Sequence, residues 1–251
     1  MHNLFNLSGQ VALVTGANTG LGQAIAIALA QAGADIVAAG RSAPTDTETA
    51  VRANGRRFHA VQADLGQHAQ LAGVVEQAVG AMGRLDILVN NAGIIHRADA
   101  VDVTEEDWDA VVDTNLKSMF FLSQAAARHM LANGGGKIIN VASLLSFQGG
   151  IRVPAYAASK SGVAGLTHAL ANEWAARGIN VNAIAPGYFA TNNTAALRQD
   201  AVREPQILAR IPAGRWGQPS DLNGAAVFLA SAASDYVHGV VLPVDGGWLA
   251  R

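Results

Sequence analysis

Cysteine is absent from all 251 residues, so neither a disulfide framework nor a thiolate metal site can staple this chain. Charge is also scarce: Asp, Glu, Lys and Arg make up 14% of residues, and 17 basic against 19 acidic groups leave a net charge near −2. Without a run of Lys or Arg, the electrostatic footprint of a nucleic-acid or anionic-membrane partner is missing. No apolar stretch reaches the roughly 20 residues needed to cross a bilayer. The start, Met1 to Phe5, has no basic region, and the first apolar run at Val11 leads into glycines rather than a cleavage site. A cytoplasmic location is therefore expected. What is abundant is small and apolar: half the chain is hydrophobic and 27 residues are glycine. That composition suits a sheet buried on both faces by helices, and the length suits one α/β domain spanning residues 1–251.

Short apolar runs alternate with longer segments of helical period, the pattern of repeated βα units. Strands are predicted at 11–15, 36–39, 58–62, 87–90, 137–141, 180–184 and 240–244, and helices at 21–32, 71–82, 105–131, 154–176 and 221–230. Thr104 reads as an N-cap with Glu105, Glu106 and Asp107 in the first turn, and Gly83 and Gly178 as helix stops. Two stretches break the rhythm. Residues 43–54 are polar without a clear period, and residues 187–217 contain no strand, which suits a lid or binding loop.

The first strand runs into Gly16-Ala17-Asn18-Thr19-Gly20-Leu21-Gly22 and then directly into an apolar helix. Glycines there let the backbone turn sharply and approach a pyrophosphate, while the helix start offers N–H groups to its charge. The G-x-x-x-G-x-G spacing differs from the common G-x-G-x-x-G and resembles that of the short-chain dehydrogenase/reductase family. Further segments match that family in order: Asp64-Leu65, Asn90-Asn91-Ala92-Gly93, Asn115, Ser143, Tyr156-Ala157-Ala158-Ser159-Lys160, and Pro186-Gly187-Tyr188-Phe189-Ala190-Thr191. The resemblance implies a doubly wound, Rossmann-type fold with a seven-stranded parallel sheet, and usually a homotetramer. It places Asp64 and Leu65 at the adenine, Asn91, Ala92 and Gly93 by the adenosine ribose, and Pro186, Gly187, Tyr188 and Thr191 at the nicotinamide carboxamide.

Carbonyl reduction with a nicotinamide needs a proton donor for the carbonyl oxygen. Tyr156 and Lys160 stand at i and i+4 on one helix face, where an ammonium can lower a phenol whose ordinary pKa is near 10. Alone the two would read as a solvated surface pair; the upstream glycine turn and Ser143 reverse that reading. Ser143 is expected to bond and polarise the substrate oxygen. Asn in a helix interior is unfavourable, and by resemblance Asn115 bends its helix and holds a water relaying protons to Lys160. The alternative is a buried Asn satisfied by backbone.

The acidic residue that accepts the ribose hydroxyls of NAD is expected at Gly40, 18 residues past Gly22, and Arg41-Ser42 follows instead. An Arg there pairs with a 2′-phosphate, which favours NADP(H); an Arg stacked on adenine in an NAD(H) enzyme is the alternative. Within the family, the segments 144–154, 187–194, 211–217 and 244–251 resemble members acting on keto sugar acids. Arg97, Gln148, Arg152 and Asn193 are candidate substrate contacts, with His96 nearby, and no histidine pattern suggests a metal. Arg215 reads equally as a lid anchor or a substrate contact, and Trp248 with the turn at 245–247 as subunit packing. Same-class alternatives are a gluconate-type substrate or the ketoacyl group of a carrier protein, the latter expecting a basic docking patch. A dinucleotide-sensing regulator without turnover is the different-class alternative, and it need not keep Asn115, Ser143, Tyr156 and Lys160 together.

Overall fold

In the computed structural model, which describes residues 3–251, seven parallel strands form one sheet in the order β3-β2-β1-β4-β5-β6-β7. They are β1 (Val11–Thr15), β2 (Asp35–Gly40), β3 (Phe58–Gln62), β4 (Ile87–Asn90), β5 (Gly136–Val141), β6 (Ile179–Pro186) and β7 (Val241–Val244). The helices are α1 (Gly20–Gln31), α2 (Thr45–Ala53), α3 (Leu71–Met82), α4 (Glu105–Val112), α5 (Ser118–Ala132), α6 (Pro154–Trp174), α7 (Ala195–Gln199), α8 (Arg203–Arg210) and α9 (Asn223–Ala230). The expected seven-stranded doubly wound sheet is therefore observed. The expectation about the chain start rests partly on Met1 and His2, which lie outside the described residues. Among the described residues, no helix is long and apolar enough to cross a membrane.

The sequence explains the layering. β1 reads Val-Ala-Leu-Val-Thr and is buried at every position, because both its faces are covered. One face carries Leu13, Leu88, Ile138 and Val181 against α3, α5 and α6, through Val75, Leu122 and Leu170. The opposite face carries Val14, Ile36, Val89 and Ile139 against α1 and α9, through Ile25, Leu29 and Leu229. Strand order reverses at β1, which pairs with β2 on one side and β4 on the other, and crossover helices there leave a crevice at the carboxyl ends.

Helix ends behave as their residues dictate. The Thr104 hydroxyl accepts from the Asp107 N–H at 3.1 Å, and Gly83 and Gly178 close their helices at φ 84° and 83°. Two expectations needed revision. Residues 43–54 contain α2, whose only buried residues are Thr47 and Val51, too few to generate a visible period. The helix expected over 105–131 is interrupted by a π turn at Asp113–Lys117. The stretch 187–217 holds no named strand, as expected; it contains the short helices α7 and α8 and one isolated bridge between Phe189 and Gly217.

Between β4, β5, α5 and α6 runs a chain of buried side chains. The Asn90 amide donates to Ser123 Oγ and Asn140 Oδ1, both at 2.9 Å, and the Asn140 amide donates to Thr167 Oγ1 at 3.0 Å. Asn140, Ser123 and Thr167 are fully buried, so each bond satisfies a group that water cannot reach. Asn140→Ala orphans one donor and one acceptor, at about 1–3 kcal/mol each. Denaturant unfolding is expected to show a total loss of about 2–6 kcal/mol, and a loss below about 0.5 kcal/mol contradicts the role given to this chain.

Candidate active site

The crevice at the carboxyl ends of β1 and β4 is a cleft of roughly 390 Å³, open to solvent. Gly16, Asn18, Thr19, Gly20, Leu21 and Gly22 line one end, with Gly40, Arg41 and Ser42 beyond them. Asp64, Leu65, Asn91, Ala92 and Gly93 form the middle, and Ser143, Tyr156, Lys160, Pro186, Gly187, Thr191 and Asn193 the far end. Sequence candidates up to 177 positions apart, from Gly16 to Asn193, thus meet in one groove, the outcome expected when strand ends share one edge of a parallel sheet.

The glycine turn is built to lie close to something flat and anionic. Gly16 and Gly20 sit at φ +64° and +59°, where a Cβ is strained. A Cβ on Gly22 would collide with the Gly16 carbonyl and the Asn91 side-chain amide, so position 22 admits only glycine. Asn91 fixes the turn from below, donating to Thr15 O at 2.9 Å and Gly16 O at 3.2 Å. The Thr15 hydroxyl in turn accepts from the N–H groups of Asn91 and Ala92, both at 3.0 Å. Asn91 is thus a strut joining β1 to β4, a role its place beside the ribose did not suggest. Thr19, at the N-cap of α1, makes no side-chain cap bond, so the first N–H groups stay available to an anion.

Cleft charge is one-sided. Asp64 is the only carboxylate among the lining residues, and its Oδ1 accepts from the Gly66 N–H at 3.0 Å. No acid stands at the end of β2, where Gly40 is followed by the exposed Arg41 and Ser42. A dinucleotide fits this donor set: N–H groups and glycines for the pyrophosphate, and a cation where the adenosine ribose ends.

At the far end, Lys160 is buried at 4% exposure, and its Nζ donates to the Val141 carbonyl at 2.6 Å. Burial pulls its pKa down to about 8. Nζ lies 5.7 Å from the centroid of the Tyr156 ring. Burial pushes the Tyr156 phenol above its usual value, and the Ser143 hydroxyl and the Arg97 guanidinium pull it part of the way back. Arg97 thus adds a cation near the phenol, in addition to the Lys160 that the i,i+4 spacing pointed to. The Lys160 ammonium itself is turned to the Val141 carbonyl.

Ser143 leaves β5 in extended conformation and caps the short turn Leu144–Ser146, with its Oγ accepting from the Leu145 N–H at 3.2 Å. Ser146 Oγ donates to Lys160 O at 2.6 Å and Ser161 Oγ to Leu145 O at 3.2 Å, so this turn is stitched to α6. Asn115 is 2% exposed at the centre of the π turn. Its oxygen accepts from the Ile94 N–H at 2.8 Å, and its amide donates to Ile94 O at 2.9 Å and Ser159 Oγ at 3.3 Å. The helix distortion expected at this residue is present, and its side chain is engaged by the Ile94 backbone and Ser159.

The substrate candidates divide. Asn193 lines the cleft, and its carbonyl accepts from Arg97 at 3.2 Å, which ties the loop after β4 to the lid. Arg152 does not reach the cleft: its Nε pairs with Asp99 at 2.9 Å on the exposed rim, at a left-handed φ of 65°. Gln148 instead accepts from the Trp248 indole at 3.3 Å, and His96 pairs with Asp107 at 2.6 Å. Tyr188 packs at 4.7 Å against Trp248 and 5.6 Å against Trp216, away from the groove that its neighbours line. Trp248 is buried within its own chain at 4% exposure, where a subunit contact was expected. Arg215 is a lid anchor, bonded to both oxygens of Asp221 at 2.6 and 3.0 Å. Ile94 and Val141 went unnoticed because they act through main-chain groups that carry no sequence signal. Thr114, Asn192 and Thr194, also in the groove, are missed residues with polar side chains.

Comparison with known proteins agrees with this geometry. The short chain dehydrogenase family matches residues 10–202. The chain belongs to the short-chain dehydrogenase/reductase family. It is 61% identical over 248 residues, 98% of each chain, to the 2-dehydro-3-deoxy-D-gluconate 5-dehydrogenase of Escherichia coli K12. It is 60% identical over 250 residues, 99% of each chain, to the enzyme of the same name from Dickeya dadantii. A solved structure from Agrobacterium tumefaciens, described as a candidate 2-deoxy-D-gluconate 3-dehydrogenase with bound NADP, is 60% identical with a TM-score of 0.94. That alignment covers 99% of this chain and 100% of the other.

The glycine turn yields a direct test. Gly22→Ala forces Gly16 and Asn91 apart, strain worth about 1–3 kcal/mol, so dinucleotide affinity is expected to fall about ten- to hundredfold. Titration followed by nicotinamide fluorescence reads this, and an unchanged affinity contradicts the fit drawn here.

Proposed function

We propose that this chain is an NADP(H)-dependent oxidoreductase that interconverts a ketone and a hydroxyl on a deoxy keto sugar acid, in the manner of a 2-dehydro-3-deoxy-D-gluconate 5-dehydrogenase. The observation carrying the substrate class is 61% identity over 98% of the chain to an enzyme of that name. Two features of the site support it. The cleft joins a dinucleotide groove to Ser143 and Tyr156, and a guanidinium, Arg97, stands close enough to act on the phenol.

A bound nicotinamide dinucleotide supplies or takes up the hydride. The protein's task is the proton and the orientation. Ser143 holds the carbonyl oxygen from one side. Tyr156, kept protonated by burial, donates its proton to that oxygen during reduction and reclaims it during oxidation. Lys160 holds a positive charge under the phenol and reaches toward the nicotinamide ribose. Asn115 clamps the loop at Ile94, which shapes the groove wall. Arg97 takes the sugar-acid carboxylate, for which a planar two-pronged donor is suited. Arg41 and Ser42 select the 2′-phosphate of NADP(H) over NAD(H), the relative crystallised with NADP being consistent with that choice. We place the enzyme in the cytoplasm as a homotetramer; Trp108 and Phe121, exposed at 40% and 39% on α4 and α5, give it apolar surface to cover.

Purified protein with NADPH and a deoxy keto sugar acid is expected to show loss of nicotinamide absorbance, with NADH, a ketogluconate and an acyl thioester giving lower kcat/KM. Arg97→Met is expected to raise the sugar-acid KM about tenfold or more, the weight of a charged hydrogen bond, with the NADPH Kd unchanged. Preference for the acyl thioester, or an unaltered KM in the variant, rejects the assignment.

A further inference from the structure

Gln148 was a substrate candidate on sequence, but its side chain turns away from the groove to a junction of three segments. Its Oε1 accepts from the indole N–H of Trp248 at 3.3 Å and from the Arg210 guanidinium at 3.5 Å. The same guanidinium stacks over the Trp248 ring at 4.1 Å. Trp248 belongs to the C-terminal turn, Arg210 ends the lid helix α8, and Gln148 sits five residues after Ser143 on the loop leaving β5. Both partners are donors only, so the amide has one orientation that works, oxygen inward. Trp248 is 4% exposed, and this oxygen is the acceptor that satisfies its N–H.

The junction is the hub of a separate apolar cluster. Leu144, Ile207, Ile211 and Trp248 form its buried centre, with Tyr188 and Trp216 packed against it. Leu144 adjoins Ser143, Ile207 and Ile211 come from the lid, and Tyr188 starts the lid at the end of β6. Further ties reinforce the same seam: Ala213 N–H donates to Gly246 O at 2.9 Å, and Arg251 to Ala209 O at 3.0 Å. A lid seated this way cannot lift without breaking contacts to the loop that carries Ser143.

We propose that Gln148 is a positioning residue, whose single side-chain oxygen locks the lid and the C-terminal turn onto the Ser143 loop. Lid closure and the placing of the Ser143 hydroxyl are then one event. Substrate that draws the lid down also sets the group that polarises its carbonyl. The consequence for catalysis rests on the role given to Ser143 above; the mechanical coupling does not.

The test uses Gln148→Met and Trp248→Phe, singly and together, in the full-length protein. Each removes one partner of the same bond while leaving bulk in place. Limited trypsin digestion of the free enzyme reads the lid through cleavage after Arg198 and Arg203, with no substrate needed. Loss of one hydrogen bond is expected to speed lid cleavage about three- to tenfold in either single variant, with NADPH affinity unchanged. The double variant is expected to resemble Gln148→Met alone, because Trp248→Phe cuts one of the two links that Gln148→Met already removes. In turnover, the sugar-acid KM and kcat are expected to worsen together.

Unchanged cleavage, or a double variant whose effect is the product of the singles, overturns the coupling. Equal loss of NADPH affinity also overturns it, by showing a general loosening. If the lid loosens but the enzyme turns over no sugar acid, the coupling stands and the substrate assignment fails.

Discussion

The site depends on a buried ammonium. Lys160 sits at 4% exposure with the Val141 carbonyl at 2.6 Å as its main-chain partner, and burial pulls its pKa from 10.5 to about 8. Among the described residues no carboxylate accompanies it as an ion pair, so the folded chain carries a charge that bulk water would solvate far better. Folded protein thus binds fewer protons than the unfolded chain between about pH 8 and 10.5. The destabilisation is therefore full below pH 8 and fades as pH rises toward 10.5. A depression of this size corresponds to roughly 3 kcal/mol, a large share of the 5–15 kcal/mol that holds a typical domain together.

The surroundings of Lys160 make sense as support for that charge. Ser146 and Ser161 stitch the Ser143 turn to α6, so the Tyr156 and Lys160 side chains share a rigid wall with Ser143. The π turn at Asn115 brings an amide to Ile94 and closes the loop after β4 against the same helix. Gly93 is small because a Cβ there would stand 3.1 Å from Asn115 Oδ1 and 3.9 Å from Lys160 Nζ. Beyond the phenol, Arg97 adds a second cation and reaches the lid at Asn193. A cleft with Lys160 at its catalytic end, Arg97 near the phenol, and Arg41 at its adenosine end is suited to a phosphorylated dinucleotide and an anionic substrate.

Strands were the most legible part of the sequence, because a run such as Val11–Val14 buried on both faces has no polar residue to blur it. Motif residues were legible too: the glycine turn, Ser143, Tyr156 and Lys160 all reach the groove. What escaped was carried by tertiary contact. α2 has only Thr47 and Val51 facing inward, so its period is silent. The direction of the Lys160 ammonium follows from a carbonyl at Val141, and any residue type would supply that group. Gln148, Arg152 and Trp248 were read as substrate or subunit contacts because side-chain chemistry alone does not reveal which neighbour is nearer. In each case that neighbour came from a distant part of the same chain: Trp248 for Gln148, Asp99 for Arg152, Tyr188 and Arg210 for Trp248.

The central claim is that Lys160 is held charged in the fold at a cost in stability, in return for its place beneath the phenol. Unfolding free energies of the native protein and Lys160→Met, measured from pH 7 to pH 10, test it most directly. Their difference is expected to shift by about 2–3 kcal/mol across that range in favour of the native protein as pH rises. The variant is expected to lose nearly all turnover at every pH. Parallel stability curves would contradict the account, since they would mean that the ammonium is as well solvated in the fold as in water.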